Sequence, residues 1–299
     1  MSSEREDWQC TGLRWDHSGP ALSWRHPGRG ERSSPLPPER PLAFTFGARR
    51  RCVGVRRGGR HTPCPEDASL SPSAVSAQCP ACARLDRSRS VAADTMADDP
   101  RPYDVYLAWF GPELIKVGIT ATEREGVRLL EQAALSYALL GHGPLMAARR
   151  AEAVLGAALT VPDRFPYAAK RSARHALPPR PLRAAELAAL HERARGLPGL
   201  PDSLSVVDFR PVHHDAAFHL GRLRPPDGTV EPEAGRTLAG TMAAVAGPDL
   251  YVTAADGRLL LADARQLAGW PLSAAPPDAA TTVTVRAPTP TPSEPDALF

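Results

Sequence analysis

Four cysteines, one tyrosine and a run of arginines are the residues of this 299-residue chain whose types and spacing could do chemistry. Cys79-Pro80-Ala81-Cys82 reads as a metal knuckle, because two intervening residues let both thiolates reach one face of a tight turn. Tetrahedral zinc needs four such ligands, and Cys52 and Cys64 can supply the other two, with His61 as a substitute for either. No coordination position would be left open to water, so such a metal is structural. The competing reading of the same residues is a set of buried or free thiols. Cys10 stands apart and reads as a small core hydrophobe. His213, His214 and His219 have no cysteine or carboxylate arrangement beside them and read as surface histidines.

The second set is Tyr106, Lys116, Arg128, Gln132 and Glu152. Residues 104–110 and 114–119 are rich in β-branched and aromatic types and flank Gly111-Pro112, which predicts a hairpin. A helix is expected from 123 to about 140, capped by Thr120 or Thr122, with Val127, Leu130, Ala134 and Ala138 as its buried stripe. Arg128 and Gln132 are then four apart on one face. Glu152 falls in register with Leu155, Gly156 and Leu159 on the next helix. A carboxylate on an apolar stripe is costly unless it is paired, hydrogen-bonded or holding a cation. A purely structural reading is also open: Tyr106 as a strand aromatic, Lys116 at the surface, and Arg128 paired with Glu152.

Tyr106, then Lys116-Val117-Gly118-Ile119-Thr120, then Arg128 and Glu152 on successive helices, resembles the GIY-YIG nuclease superfamily, in the branch whose second motif reads K-[IV]-G-[IV]-T. The block, together with the upstream cysteines and Asp163-Arg164-Phe165, also resembles a bacterial family, domain of unknown function 2797, over roughly residues 45–175. The resemblance implies that Tyr106 activates water, Arg128 holds the scissile phosphate, and Glu152 binds one magnesium or manganese ion. Metal and arginine together would neutralise charge developing on phosphoryl oxygens. Two positions depart from the pattern. Lys116 replaces the second tyrosine and is a point charge rather than a phenol, and Gln132 stands where many members have a histidine that can carry a proton.

The elements that must position these residues are punctuated by 33 prolines, which mark turns and linkers. The expected class is α+β. Short β segments occupy 1–47, a cysteine-rich putative zinc module 48–90, and a linker 91–102. A GIY-YIG-like domain of β-hairpin plus helices fills 103–177. A helix and a β-rich region follow over 178–272, and a disordered Pro/Thr/Ala tail over 273–299. Gly12, Gly19-Pro20 and Leu22 share their spacing with Gly240, Gly247-Pro248 and Leu250, which points to an internal repeat of strand, turn and strand.

Only Lys116 and Lys170 are lysines, so arginine carries nearly all the positive charge, and a net charge of +3 does not by itself name a partner. Arg49, Arg50, Arg51, Arg56, Arg57 and Arg60 surround Cys52 and are the candidate contacts to DNA or RNA phosphates, with a solvated basic loop as the alternative. The acidic start resembles no signal peptide and the longest apolar run is broken at Gly141-His142-Gly143-Pro144, so a soluble cytoplasmic protein without a membrane partner is expected.

Overall fold

A computed structural model describes residues 8–57, 60–87, 99–162, 164–276 and 278–287, with the side chains of Arg57 and Arg87 also outside the description. The strands, in chain order, begin with β1 (Trp8–Asp16), β2 (Gly19–His26), β3 (Gly30–Pro35), β4 (Pro41–Phe46), β5 (Val55–Arg57) and β6 (Arg60–Thr62). Helix α1 (Pro80–Arg87) follows, then β7 (Pro102–Trp109), β8 (Ile115–Ala121), α2 (Val127–Glu131), β9 (Ser136–Pro144), α3 (Leu145–Leu159), α4 (Tyr167–Ala173) and α5 (Arg180–Arg195). The remainder is β10 (Ser205–Val206), β11 (Val212–His213), β12 (Gly228–Glu231), β13 (Thr237–Ala246), β14 (Asp249–Thr253), β15 (Leu259–Asp263), α6 (Ala264–Leu267), β16 (Pro271–Ala274) and β17 (Thr284–Arg286). Among the described residues no helix is long and apolar enough to cross a membrane.

The chain divides into two compact units, one made of 1–14, 18–84 and 222–299, the other of 15–17 and 85–221. The first unit holds a ten-stranded sheet in the order β17-β12-β15-β14-β13-β4-β16-β1-β2-β3. Its centre is built by duplication. Ala21 pairs with Pro35 and Trp24 with Arg32 across β2 and β3. Positions 228 residues later pair in the same way, Asp249 with Asp263 and Val252 with Leu260, across β14 and β15. The exits match too: Leu36 N donates to Pro20 O at 2.9 Å, and Ala264 N to Pro248 O at 2.8 Å. Each half then exchanges its fourth strand, since β4 pairs with β13, β16 with β1, and β4 with β16. Exchanging the halves reverses the order β3-β2-β1-β16-β4-β13-β14-β15 and leaves its pattern unchanged. Phe46 and Trp270, 5.4 Å apart and edge-on, seal the crossing with Cys10, Phe44 and Leu238 buried around them. Burial pushes the Cys10 thiol up to about 12, which keeps it an inert core group.

The second unit is an antiparallel sheet ordered β10-β9-β7-β8, with β11 also paired to β9. Every residue of β7 from Tyr103 onward is buried, which suits a central strand covered on both faces. The expected hairpin is β7 and β8, in register from Tyr103 with Ala121 to Trp109 with Ile115.

Several expected elements differ. The long helix over 123–140 is one short turn, α2, because Gly126 enters it with φ 81 and Ala133 leaves it with φ 59. Leu135 N then donates to Trp109 O, and the apolar run that could have been helix becomes β9. Neither Thr120 nor Thr122 caps α2; Thr122 Oγ1 donates to Asp104 Oδ1 at 2.8 Å. Within the region expected to be β-rich, residues 217–223 form turns and a 3₁₀ turn at Leu220–Arg222 instead of a strand. Helix α1 lies within the expected cysteine-rich module; of the expected linker, residues 91–98 lie outside the description and Pro102 already belongs to β7. Within the tail, β17 adds to β12 through backbone pairing, which a Thr-rich composition does not prevent. Residues 288–299 lie outside the description.

Candidate metal centre and candidate phosphate site

In the first unit, two loops and the start of α1 bring Cys52, Cys64, Cys79 and Cys82 together, with all four sulfurs within 4.8 Å of one another. Cys52 is held by its amide, which donates to Ala68 O, and Val53 N donates to Ala77 O. Gly54 takes φ 74 with its Cα turned onto the backbone of residues 62–64, so no side chain fits there. Cys79 precedes α1 and Cys82 lies on its first turn, which is the geometry the C-x-x-C spacing predicted. The Cys64 and Cys79 sulfurs are 3.9 Å apart. Zinc–sulfur bonds of about 2.3 Å set tetrahedral sulfur–sulfur edges near ~3.8 Å, so this spacing fits a shared ion.

The thiols are electrostatically unequal. The Cys82 amide lowers the Cys79 thiol to about 7, whereas burial first, and the neighbouring sulfurs second, raise Cys82. Burial also raises Cys52, against amide hydrogen bonds from Cys79 and Gly54. Four sulfurs at this spacing repel one another as thiolates, and a shared cation relieves that repulsion. The four cysteines can therefore hold a metal ion such as zinc. His61 is no ligand: its Nε2 lies 2.6 Å from Val53 O and anchors the hairpin of β5 and β6.

The arginines around Cys52 do not form one solvent-facing patch. Arg50 is 1% exposed, and its guanidinium donates to the carbonyls of Ala268 (2.8 Å), Arg265 (2.8 Å), Ser71 (3.0 Å) and Ala74 (2.5 Å). As a phosphate contact it is excluded by burial. Arg49 and Arg51 share Asp67, at 2.7 and 3.6 Å, Arg56 pairs with Glu31, and Arg60 is exposed. The Arg57 side chain lies outside the description.

In the second unit Tyr106 is 1% exposed and lies opposite Gly118. A Cβ at Gly118 would stand 2.5 Å from the Tyr106 hydroxyl, so the glycine of the Lys-Val-Gly motif lets the ring lie across β8. The hydroxyl accepts from Gln132 Nε2 at 3.1 Å. Lys116 Nζ stands 5.8 Å from the ring centroid. Burial raises the phenol, and Glu152 adds to that rise, while Gln132, Arg128 and Arg124 oppose it. The fields of Arg128 and Glu152 thus meet at one hydroxyl. Arg128 pairs with Glu131 at 3.4 Å and Arg124 with the same carboxylate at 2.7 Å. Arg124 and Glu131 escaped the sequence reading, although Arg128 and Glu131 have helical i,i+3 spacing. Asp163 lies outside the description, and Phe165 packs edge-on against Phe110 at 6.5 Å.

Of the three histidines read as surface groups, His219 is exposed, whereas His214 is buried and His213 half-buried. His213 Nδ1 is 2.8 Å from the buried Ser136 hydroxyl, and His214 Nδ1 is 2.7 Å from Ala134 O. No curated protein and no solved structure matches this chain. Residues 39–272 match the family described as "Protein of unknown function (DUF2797)", and the chain belongs to that family.

Proposed function

We propose that the protein binds nucleic acid through phosphate contacts on the GIY-YIG-like hairpin, with a structural zinc ion in the Cys52, Cys64, Cys79 and Cys82 cluster. What supports the reading is the buried Tyr106 hydroxyl bonded by Gln132 Nε2, with Lys116 beside its ring and the charges of Arg128, Arg124 and Glu152 acting on it. Arg128, half-exposed, and Lys116, beside the Tyr106 ring, supply the phosphate charge complement. Burial of Tyr106 favours binding over water activation, because a desolvated phenol resists losing its proton.

Hydrolysis is the finer form of the same reading. Among the described residues no group of three oxygen or nitrogen ligands gathers at Tyr106, so magnesium or manganese would depend on Glu152 and the phosphate itself. Such an ion would neutralise phosphoryl charge; Arg128 would orient the phosphate.

Fluorescence anisotropy with DNA and RNA oligonucleotides tests the proposal. Binding should fall steeply between 50 and 200 mM salt, on the order of tenfold or more for a few phosphate contacts. Arg128→Ala should weaken it further; unchanged affinity in that variant rejects the site. Nicking with magnesium or manganese that disappears in Glu152→Ala would extend the function from binding to cleavage. For zinc, one equivalent per chain by elemental analysis, lost in Cys82→Ser, is expected.

A further inference from the structure

The hairpin of β2 and β3 carries chemistry that its duplicate does without. Trp24 and Arg32 oppose each other across the pair. The Arg32 guanidinium lies 4.1 Å from the Trp8 ring centroid and 5.8 Å from that of Trp24, and the Trp8 and His26 rings are 5.3 Å apart. These groups are held in place. Trp24 Nε1 donates to Ser34 Oγ at 3.0 Å, and His26 Nδ1 accepts the amides of Gly28 and Arg29 at 3.0 and 3.1 Å. At the duplicate positions the same cross-strand pair is Val252 with Leu260, both fully buried. An aliphatic pair therefore satisfies this sheet, and packing alone does not call for a cation between two indoles.

Charge separates the halves as well. Arg25, Arg29 and Arg32, all in this hairpin, make no ion pair among the described residues, and Arg29 and Arg32 are exposed. The hairpin's one acid, Glu31, is already taken by Arg56. Half-exposed indole, a guanidinium plane stacked on it and uncompensated positive charge beside them are the features that hold unpaired bases and their phosphates. A duplex hides its base faces, and an acidic peptide offers nothing to stack.

We propose that this surface binds single-stranded nucleic acid, with bases stacking on Trp8 and the Arg32 plane and with Arg29 contacting the backbone. The proposal borrows from the phosphate-site reading only the choice of polymer, since its residues belong to the other unit.

Titration of the full chain with 15-residue oligo(dT) and oligo(U), read by intrinsic tryptophan fluorescence, tests it. Quenching is expected, with an amplitude that drops in Trp8→Phe. Arg29→Glu and Arg32→Glu should each weaken binding about fivefold or more. Arg29 sits in an exposed turn, so its variant reads binding without a folding defect. Arg128→Ala should leave the quench amplitude intact. Affinity unchanged in both charge reversals overturns this surface alone, and leaves the Tyr106 site standing if Arg128→Ala still weakens binding. Equal or tighter binding of duplex or polyglutamate overturns the single-strand assignment. Absence of any binding removes both proposals.

Discussion

Gly118 and Tyr106 show how a short motif depends on one missing methyl group. Any Cβ at 118 meets the Tyr106 ring and hydroxyl, so Gly118→Ala must displace the ring from Gln132. Urea unfolding should show a loss of about 1–3 kcal/mol for that overpacking, and an unchanged midpoint would mean the ring does not lie across β8. Arg50 is a second case. Removing its side chain strands several buried carbonyls of the cysteine loop and the end of α6. Arg50→Met should cost about 3 kcal/mol or more, measured in the same way; a surface arginine would cost almost nothing. Titration follows from burial as well. His191, His213 and His214 are all held below the ordinary histidine range, first by burial. The unfolded chain then takes up protons before the folded one, so stability is full above about pH 6.5 and falls as pH drops below it. A thermal midpoint flat from pH 7.5 to 5 would contradict the burial of these rings.

At the scale of elements, local signals compete with pairing. β7 and β8 were legible because they are adjacent, turn at Gly111-Pro112 and bury a dense β-branched and aromatic run. β9 was not, since 127–138 carries apolar residues at helical spacing and only pairing with β7 shows that the run is a strand. Gly141 and Gly143 mark the same event, because a Cβ at either would meet Ser205 O or Ser203 O as β10 closes on β9. β17 is the opposite case: weak composition, specified by its partners. Thr281 Oγ1 donates to Ala239 O at 2.6 Å, and Thr237 N donates to Thr282 Oγ1 at 2.9 Å, before the strand joins β12. Truncation after residue 280 should therefore destabilise the first unit by about 2 kcal/mol or more, counting about 1 kcal/mol for each of these two bonds and leaving the β12 pairing in addition. Indistinguishable melting of the shortened chain would mean the strand adds nothing.

On the scale of the molecule, the first unit joins segments from both ends of the chain, and its duplicated halves are interlocked by exchanged strands. The cysteine cluster belongs to that unit. Chelation is therefore expected to lower one calorimetric transition, that of the first unit, and to spare the second; a uniform shift of both would mean the units unfold as one. By itself the sequence determined the C-x-x-C knuckle, the central hairpin and the repeat spacing, because each depends on residues close in the chain or on identities kept at a fixed interval. Only the tertiary structure decided that Arg50 turns inward, that β9 is a strand and that the halves trade their fourth strands. Those outcomes depend on partners far away in sequence, whose carbonyls, strand edges and ring faces exert no force until the chain has closed on itself.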